Sequence, residues 1–318
     1  MKARRYKDGT YNHIYQRTIN RFNIFYDVTD YLVYYTIVFI AAQKYEVSVL
    51  GLCLMIDHIH MLVRTSSRKV LSEFISYVTS VFVREYNTSI GRRGPLFAER
   101  FGSAPKSDKK KLMSAIIYVG NNPVERKVCL YAEQYRWNFL AYLDSDFPFS
   151  EQLTAGKVPY RLNKAFKEVD RHRGDGRYLN HGILNRLLKD LNAMEKEQLV
   201  DYIITQYKVI DDAALMSHFE DFSELLKSMH STTGSEYEIN EDFDRMSDNV
   251  YCDMMRVFRN VYGNNVRNLL ILRTEEKLQI ADEIRRQTAA PMWQIFKFLH
   301  LSDVEKCRNI EGVVRWKM

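Results

Sequence analysis

The pattern of apolar and polar positions in the first half of the chain predicts a small sheet packed against helices. Alternating or continuously apolar runs predict strands over residues 11–17, 47–55, 58–64 and 96–101. Apolar positions at helical spacing predict helices over residues 28–42, 66–91 and 107–122. This order of elements predicts an α+β fold in which helices cover one face of a sheet and the other face stays open for ligands.

The predicted strand within LMIDHIHMLVR carries two histidines on one face. Ile59 and Met61 alternate with His58 and His60, so both imidazoles point to the same side of the strand. Neutral imidazole is a common ligand of divalent metals, and two on one rigid strand would supply two ligands. A His-x-His pair also occurs on surface strands that bind nothing, so the pair alone leaves both interpretations open.

The last predicted helix of this half carries a tyrosine outside its apolar stripe. The stripe consists of Leu112, Met113, Ile116 and Ile117. At about 100° per residue, Tyr118 points away from the centre of the stripe, which argues against a purely structural role. Asn122 follows one turn later on the same face. Pro123 has no N–H to donate, so we expect the helix to kink or stop at Asn122.

Beyond residue 146 the pattern becomes largely helical. The segment Phe147–Pro159 predicts a linker, so we expect two domains, residues 1–146 and 147–318. Three short helices at about 274–310 fit a DNA-binding helix-turn-helix. Trihelical units without DNA contacts share this spacing, and Asp303 and Glu305 near the start of the third helix suit phosphate poorly. A helical scaffold for protein partners is the other interpretation of this half.

Composition narrows the class of partner. Residues 1–130 contain 20 Lys and Arg against 10 Asp and Glu, so this part carries +10 while the rest of the chain carries −4. A basic field attracts polyanions, either nucleic acid or an acidic membrane surface. Four scattered cysteines predict neither a zinc knuckle nor a disulfide scaffold. The most apolar run, Leu32 to Ala42, is too short to span a bilayer, so we expect a soluble, cytoplasmic protein without a membrane partner.

Several motifs in one order give the first half a family resemblance. They are NHIYQRTINRFNIF, the HIH strand, LFAERFGS, YVGNNPVERKVC and YRWNFLAY. Over about its first 143 residues the chain resembles the single-tyrosine HUH transposases of the IS200-like type, particularly the REP-associated tyrosine transposases. Ile56 departs from the pattern, because the family usually has proline there, and the departure concerns only a turn.

The resemblance implies a ferredoxin-like antiparallel sheet, with Mg²⁺ or Mn²⁺ held by His58, His60 and Asn122 and with Tyr118 as nucleophile. It implies cleavage of single-stranded DNA near hairpins through a 5′-phosphotyrosine, followed by strand transfer. Candidate contacts to the DNA backbone are Arg92, Arg93, Lys106, Lys109, Lys110 and Lys111. Whether the protein acts as a monomer or a homodimer stays open.

A different class of function is a regulator that keeps the fold and binds hairpin DNA without cutting it. Because His58, His60 and Tyr118 are all present, the sequence favours the enzyme. Such an enzyme would belong to a mobile element or be domesticated to act on chromosomal repeats.

Overall fold

A four-stranded antiparallel sheet is the centre of the first half. The computed structural model describes residues 5–98, 101–152, 158–231, 247–263 and 265–301. The strands are β1 (Tyr11–Arg17), β2 (Ser48–Leu54), β3 (His58–Arg64) and β4 (Gly102–Lys106), in the order β2-β3-β1-β4. The fold class predicted from the sequence, an antiparallel sheet with helices followed by a mainly helical region, is confirmed.

The position of β4 differs from the prediction of a strand over residues 96–101. Phe97 forms only an isolated bridge with Thr18, and the edge strand starts at Gly102. Its sequence, GSAPK, has low strand propensity, and its proline is tolerated because an edge strand has one unpaired side. Gly102 is required by packing, since a Cβ there would come within 1.9 Å of the Tyr15 ring.

Two long helices cover one face of the sheet, as predicted. They are α1 (Val28–Lys44) and α2 (Arg68–Ile90). The hydroxyl of Ser67 accepts a hydrogen bond from Val70 N and begins α2, and Gly91 ends it with a positive φ of 68°. Their apolar faces pack on the side chains of Ile14, Ile59 and other residues that point to this side of the sheet.

The third helix, α3 (Lys109–Glu125), lies on the opposite face, so the expectation of an open face is wrong. This face carries apolar Leu50 and Leu62 beside the histidines, and both pack with α3. The buried stripe of α3 consists of Leu112, Ala115, Ile116 and Val119. The sequence assigned Met113 and Ile117 to that stripe, but both are only partly buried.

Pro123 does not stop α3. The helix continues to Glu125, and Arg126 N donates to Asn122 O at 3.1 Å. Pro123 lies in the last turn, where its missing N–H removes one intrahelical bond and leaves the earlier turns intact.

Among the described residues, eight further α-helices follow α3. They are α4 (Tyr160–Gly174), α5 (His181–Leu188), α6 (Ala193–Gln206), α7 (Asp212–Met216), α8 (Phe222–Ser231), α9 (Asn249–Tyr262), α10 (Thr274–Gln287) and α11 (Met292–Leu299). Helices α10 and α11 match the first two helices of the predicted helix-turn-helix, and its third helix lies outside the described residues. Within the described residues, none of these helices is long and apolar enough to cross a bilayer.

One hydrophobic core joins the two halves of the chain. Tyr34 of α1 and Phe82 of α2 belong to the same buried cluster as Leu199 of α6 and Phe298 of α11. Tyr26 Oη also donates to Phe298 O at 2.6 Å. The proposed boundary at residue 146 stays a prediction, and the helical half packs directly on α1 and α2.

A buried carboxylate adds a polar link between the halves. Asp30, fully buried at the start of α1, accepts from Tyr26 N at 2.9 Å. Its Oδ1 lies 3.0 Å from His181 Nε2 and 3.0 Å from Arg267 Nε. The Arg267 guanidinium, also buried, lies over the Tyr86 ring at 4.8 Å. The carboxylate of Asp30 therefore holds together three segments that are far apart in the sequence: the start of α1, the segment with His181 and the segment with Arg267.

Replacing Asp30 with asparagine is expected to destabilise the protein by about 3–5 kcal/mol, because the Arg267 charge would stay buried without its counter-ion. Urea unfolding followed by circular dichroism measures this change. The matched control is Asp30→Leu combined with Arg267→Met, which removes both charges and should recover most of the lost stability. Equal losses in the single and double variants would contradict the charge explanation.

Candidate active site

The side chains of His58, His60 and Asn122 meet between β3 and α3. His58 Nε2 donates to Asn122 Oδ1 at 3.0 Å, and Asn122 Nδ2 donates to His60 Nε2 at 3.3 Å. The two imidazole centroids are 5.0 Å apart. Strand alternation puts both histidines on one face, and α3 crosses that face. The structure thus brings together the three residues that the sequence nominated as metal ligands.

Each of these histidines has a second partner on its Nδ1 atom. His58 Nδ1 lies 2.5 Å from Asp57 Oδ1, and His60 Nδ1 lies 2.9 Å from His13 Nε2. Because Asn122 donates to His60 Nε2, the His60 proton is on Nδ1 and is donated to His13. Hydrogen bonds of this kind fix the tautomer and orientation of metal-binding histidines. The sequence analysis missed both outer partners, Asp57 and His13.

Charge around Asp57 favours its ionised form. Burial works against ionisation, but the charge and hydrogen bond of His58 hold the pKa of Asp57 below its usual range, and Arg126 acts in the same direction. A second carboxyl, Asp248 at the start of α9, lies 4.0 Å from Arg126 Nη1. Burial and the nearby Asp57 charge raise the pKa of Asp248 to about 7. Asp57, Arg126 and Asp248 therefore form a charged group next to His58.

Tyr118 lies against the imidazoles of two strands. Its ring centroid is 5.6 Å from that of His60 and 5.6 Å from that of His13, both in edge-to-face geometry. The side chain is 1% exposed, so Tyr118 is buried even though the sequence places it away from the centre of the apolar stripe. It lies at the border of that stripe, where it is covered and faces the histidines.

Helix α8 packs on the side of α3 that faces away from the sheet. Asn121 Nδ2 donates to Met229 O at 2.8 Å, and a Cβ at Gly120 would come within 2.8 Å of Met229 Sδ. Gly120 thus lets α8 approach closely. The sheet on one side and α8 on the other hold α3 in place, and with it Tyr118 and Asn122.

The donor set fits a hard divalent cation. Neighbouring ligands of an octahedral Mg²⁺ with bonds of about 2.1 Å are about 3 Å apart, close to the separation of His58 Nε2 and Asn122 Oδ1. Each ring nitrogen of His58 also lies close to an oxygen atom, Asp57 Oδ1 at Nδ1 and Asn122 Oδ1 at Nε2. Among the described residues, no group of three or more His, Cys, Asp or Glu side chains is arranged to hold a metal ion, so a site here depends on the Asn122 amide as its third ligand.

The six candidate DNA-binding cations differ in their availability. Arg93, Lys109 and Lys110 are exposed and form no ion pair with another described residue. Lys111 pairs with Asp108 at 3.6 Å. The other two are engaged or covered: Arg92 donates to Asn87 Oδ1 and to the carbonyls of Gly94 and Pro95, and Lys106 is buried.

Lys109 also lines a basic cavity at the start of α3. A cavity of about 420 Å³ there is bounded by Tyr11, Arg64, Lys109 and His218, among others. The Arg64 guanidinium lies 4.9 Å from the centroid of the Tyr11 ring. Burial and the Lys109 charge lower the pKa of His218, which is consistent with an excess of positive charge in this cavity.

Comparison with known families identifies one match. Residues 6–122 match the family model described as transposase IS200 like. A solved structure described as a REP-associated tyrosine transposase bound to a REP hairpin aligns at 14% sequence identity with a TM-score of 0.39. The alignment covers 44% of this chain and 83% of that chain. A comparison with curated proteins finds no match.

Proposed function

Because residues 6–122 match the family model described as transposase IS200 like, we propose that this protein is a metal-dependent nuclease and strand transferase for single-stranded DNA, with Tyr118 as nucleophile. The observation that carries the proposal is the position of the Tyr118 ring, 5.6 Å from the ring of His60, which is itself joined to Asn122 and through it to His58. A purely structural tyrosine would not need a histidine-amide cluster beside it.

Each of these residues has its own part in the chemistry. Tyr118 Oη attacks the scissile phosphorus, the bond to the 3′ oxygen breaks, and a 5′-phosphotyrosine and a free 3′ hydroxyl result. Attack by a 3′ hydroxyl on that intermediate reverses the exchange, so rejoining needs no external energy source. His58, His60 and Asn122 would hold Mg²⁺ or Mn²⁺, and the bound cation would supply Lewis-acid polarisation of the phosphate.

The outer partners of the ligands support this assignment. Asp57 and His13 fix the ring orientations of His58 and His60, so each Nε2 is directed toward Asn122 before a metal binds. Of the six candidate cations, Lys109, Lys110 and Arg93 are exposed and form no ion pair with another described residue, so we expect these three to contact the DNA backbone. Because Tyr118 and the ligands are almost fully covered, entry of a scissile phosphate must displace some of the surrounding side chains.

The direct test is covalent capture of DNA. Hairpin oligonucleotides copied from inverted repeats beside the coding region, labelled on the strand that would remain on tyrosine, are incubated with the protein and Mn²⁺. We expect a labelled protein band on a denaturing gel, and we expect a chelator to abolish it. Binding without any adduct would support the non-catalytic regulator, and absence of binding would support the helical scaffold.

The geometry favours cleavage by a tyrosine from the same subunit as the metal ligands. Tyr118 already lies beside its own His60, and α8 holds α3 in place through Met229. A mixture of Tyr118→Phe and His60→Ala proteins is therefore expected to show no more adduct than either variant alone. The gel assay measures this, with each variant mixed with the unchanged protein as a control. Restored adduct in the mixture would mean that tyrosines act between subunits.

A further inference from the structure

A cleft of about 770 Å³ lies where the first half of the chain meets the helical half. Its walls come from the start of α1, residues 134–137, and helices α6 and α9. The volume falls in the range of about 300–1,000 Å³ that is typical of ligand pockets. Most of the lining lies outside residues 6–122, so the family match does not account for this cleft.

Stacked aromatic rings form one wall of the cleft. The ring centroids of Phe25 and Tyr31 are 4.4 Å apart, and those of Tyr31 and Trp137 are 4.3 Å apart with an interplanar angle of 4°. Trp137 is at the end of this stack, is only partly buried and lines the cleft, so it is the ring available to a ligand. A flat ring of this kind is a surface on which unpaired bases stack.

The unpaired charge in the cleft is positive. Lys196 on α6 and Arg259 on α9 are exposed and form no ion pair with any described residue. Of the carboxylates in the lining, Glu197 is paired with Arg136 at 2.6 Å, and Asp27 caps the first turn of α1. An aromatic platform with two free cations has the chemistry that recognises a base together with its phosphate.

Hydrogen bonds connect this platform to the candidate active site. Leu54 N donates to Trp137 O at 3.0 Å, and Tyr135 Oη donates to Leu54 O at 2.8 Å. Leu54 is the last residue of β2, and the turn that follows it leads directly to His58. The platform and the proposed metal ligands are thus fixed to the same strand connection.

We propose that the cleft binds one unpaired nucleotide of the DNA substrate, with its base stacked on Trp137 and its phosphate near Lys196 and Arg259. The proposal rests on the DNA-cleaving function proposed above and adds a second contact for the same strand. A free mononucleotide would present the same base and phosphate groups to the cleft. The connection of the platform to the strand that precedes His58 favours a nucleotide of the bound DNA.

Fluorescence anisotropy with fluorescein-labelled oligothymidine and the full-length protein tests the proposal, with chelator present so that no cleavage intervenes. Trp137→Leu is expected to weaken binding by about 5- to 150-fold, the range for loss of one base-stacking ring. The double variant Lys196→Ala and Arg259→Ala should weaken binding. It should also reduce the slope of the logarithm of the binding constant against the logarithm of the salt concentration, by roughly 0.7 for each phosphate that is no longer neutralised. Lys164→Ala, an exposed lysine on α4, is the matched control and should change nothing.

The double variant alters only exposed side chains, so it should fold even if Trp137→Leu does not. Unchanged oligothymidine binding in the double variant would overturn the proposal. Displacement of the oligonucleotide by an equal concentration of thymidine monophosphate would indicate a mononucleotide site and would overturn it too. The covalent adduct assay reports separately on the proposed function. If the adduct forms but the cleft variants leave oligothymidine binding unaltered, only the proposal for the cleft is rejected. If the cleft variants weaken binding but no adduct forms, only the proposed nuclease function is rejected.

Discussion

Replacing Tyr118 with phenylalanine is expected to eliminate the covalent protein–DNA adduct completely. The substitution removes one oxygen atom and keeps the ring that packs against His13 and His60, so the fold should be preserved. Without that oxygen no phosphotyrosine bond can form. The denaturing-gel assay with labelled hairpin DNA and Mn²⁺ measures the loss.

The informative control is Tyr135→Phe, which removes the hydroxyl of a partly buried tyrosine from the same half of the chain. Its hydroxyl bonds to Leu54 O, so the variant should lose some stability and still form the adduct. DNA affinity of Tyr118→Phe, measured by anisotropy, should stay close to that of the unchanged protein. A persistent adduct in Tyr118→Phe would show that another residue is the nucleophile.

Loss of one histidine ligand should have the second large effect. His58→Ala is expected to eliminate measurable Mn²⁺ binding, because an imidazole nitrogen and the residue that orients Asn122 are lost together. Asn122→Ala should weaken Mn²⁺ binding while leaving the fold intact. His13→Ala, which removes the partner of His60 Nδ1 and a ring that packs against Tyr118, should weaken Mn²⁺ binding by about 10- to 100-fold.

Isothermal titration with Mn²⁺ gives these affinities, and thermal melts of the metal-free variants verify that each one folds. His218→Ala is the matched control, since His218 lines the basic cavity at the start of α3 and is not in contact with the cluster. A Mn²⁺ titration that Asn122→Ala leaves unchanged would remove Asn122 from the ligand set. An equal effect of His218→Ala would show that the losses come from general charge effects.

Local patterns were sufficient to predict most of the first half of the fold. The alternation around His58 predicts β3, and the serine before an apolar stripe with a glycine after it predicts α2 from its cap to its end. These signals are local, so short-range sterics and hydrogen bonds determine them. Strand β4 was misplaced because GSAPK has little strand propensity, and its pairing with β1 comes from tertiary structure.

The candidate site was only partly predictable for a related reason. His58, His60, Tyr118 and Asn122 were nominated from their motifs. His13 lies in the motif NHIYQRTINRFNIF as a single histidine, and the motif alone assigned it no role. Its role depends on the register of β1 against β3, which pairs His13 with Leu62 and brings it diagonally next to His60. The alternation of Tyr11, His13 and Tyr15 on one face was a usable signal once β1 was known to neighbour β3.

The covering of the histidine face could not be read from the sequence. Helical spacing shows that α3 and α8 are amphipathic, but it does not show which sheet face they choose. The contact of Met229 with Gly120 joins residues far apart in the chain and is found only in three dimensions. The same holds for Trp137, whose stacking on Tyr31 needs the folded positions of both.

The shared charge cluster at Asp30 has a consequence for synthesis on the ribosome. Asp30 leaves the exit tunnel long before Arg267, which is synthesised after most of the helical half. The carboxylate at the start of α1 therefore lacks this partner until Arg267 has been synthesised. A nascent or prematurely terminated chain would carry the histidines and tyrosine without the scaffold that steadies them, which makes it a target for chaperones and proteases.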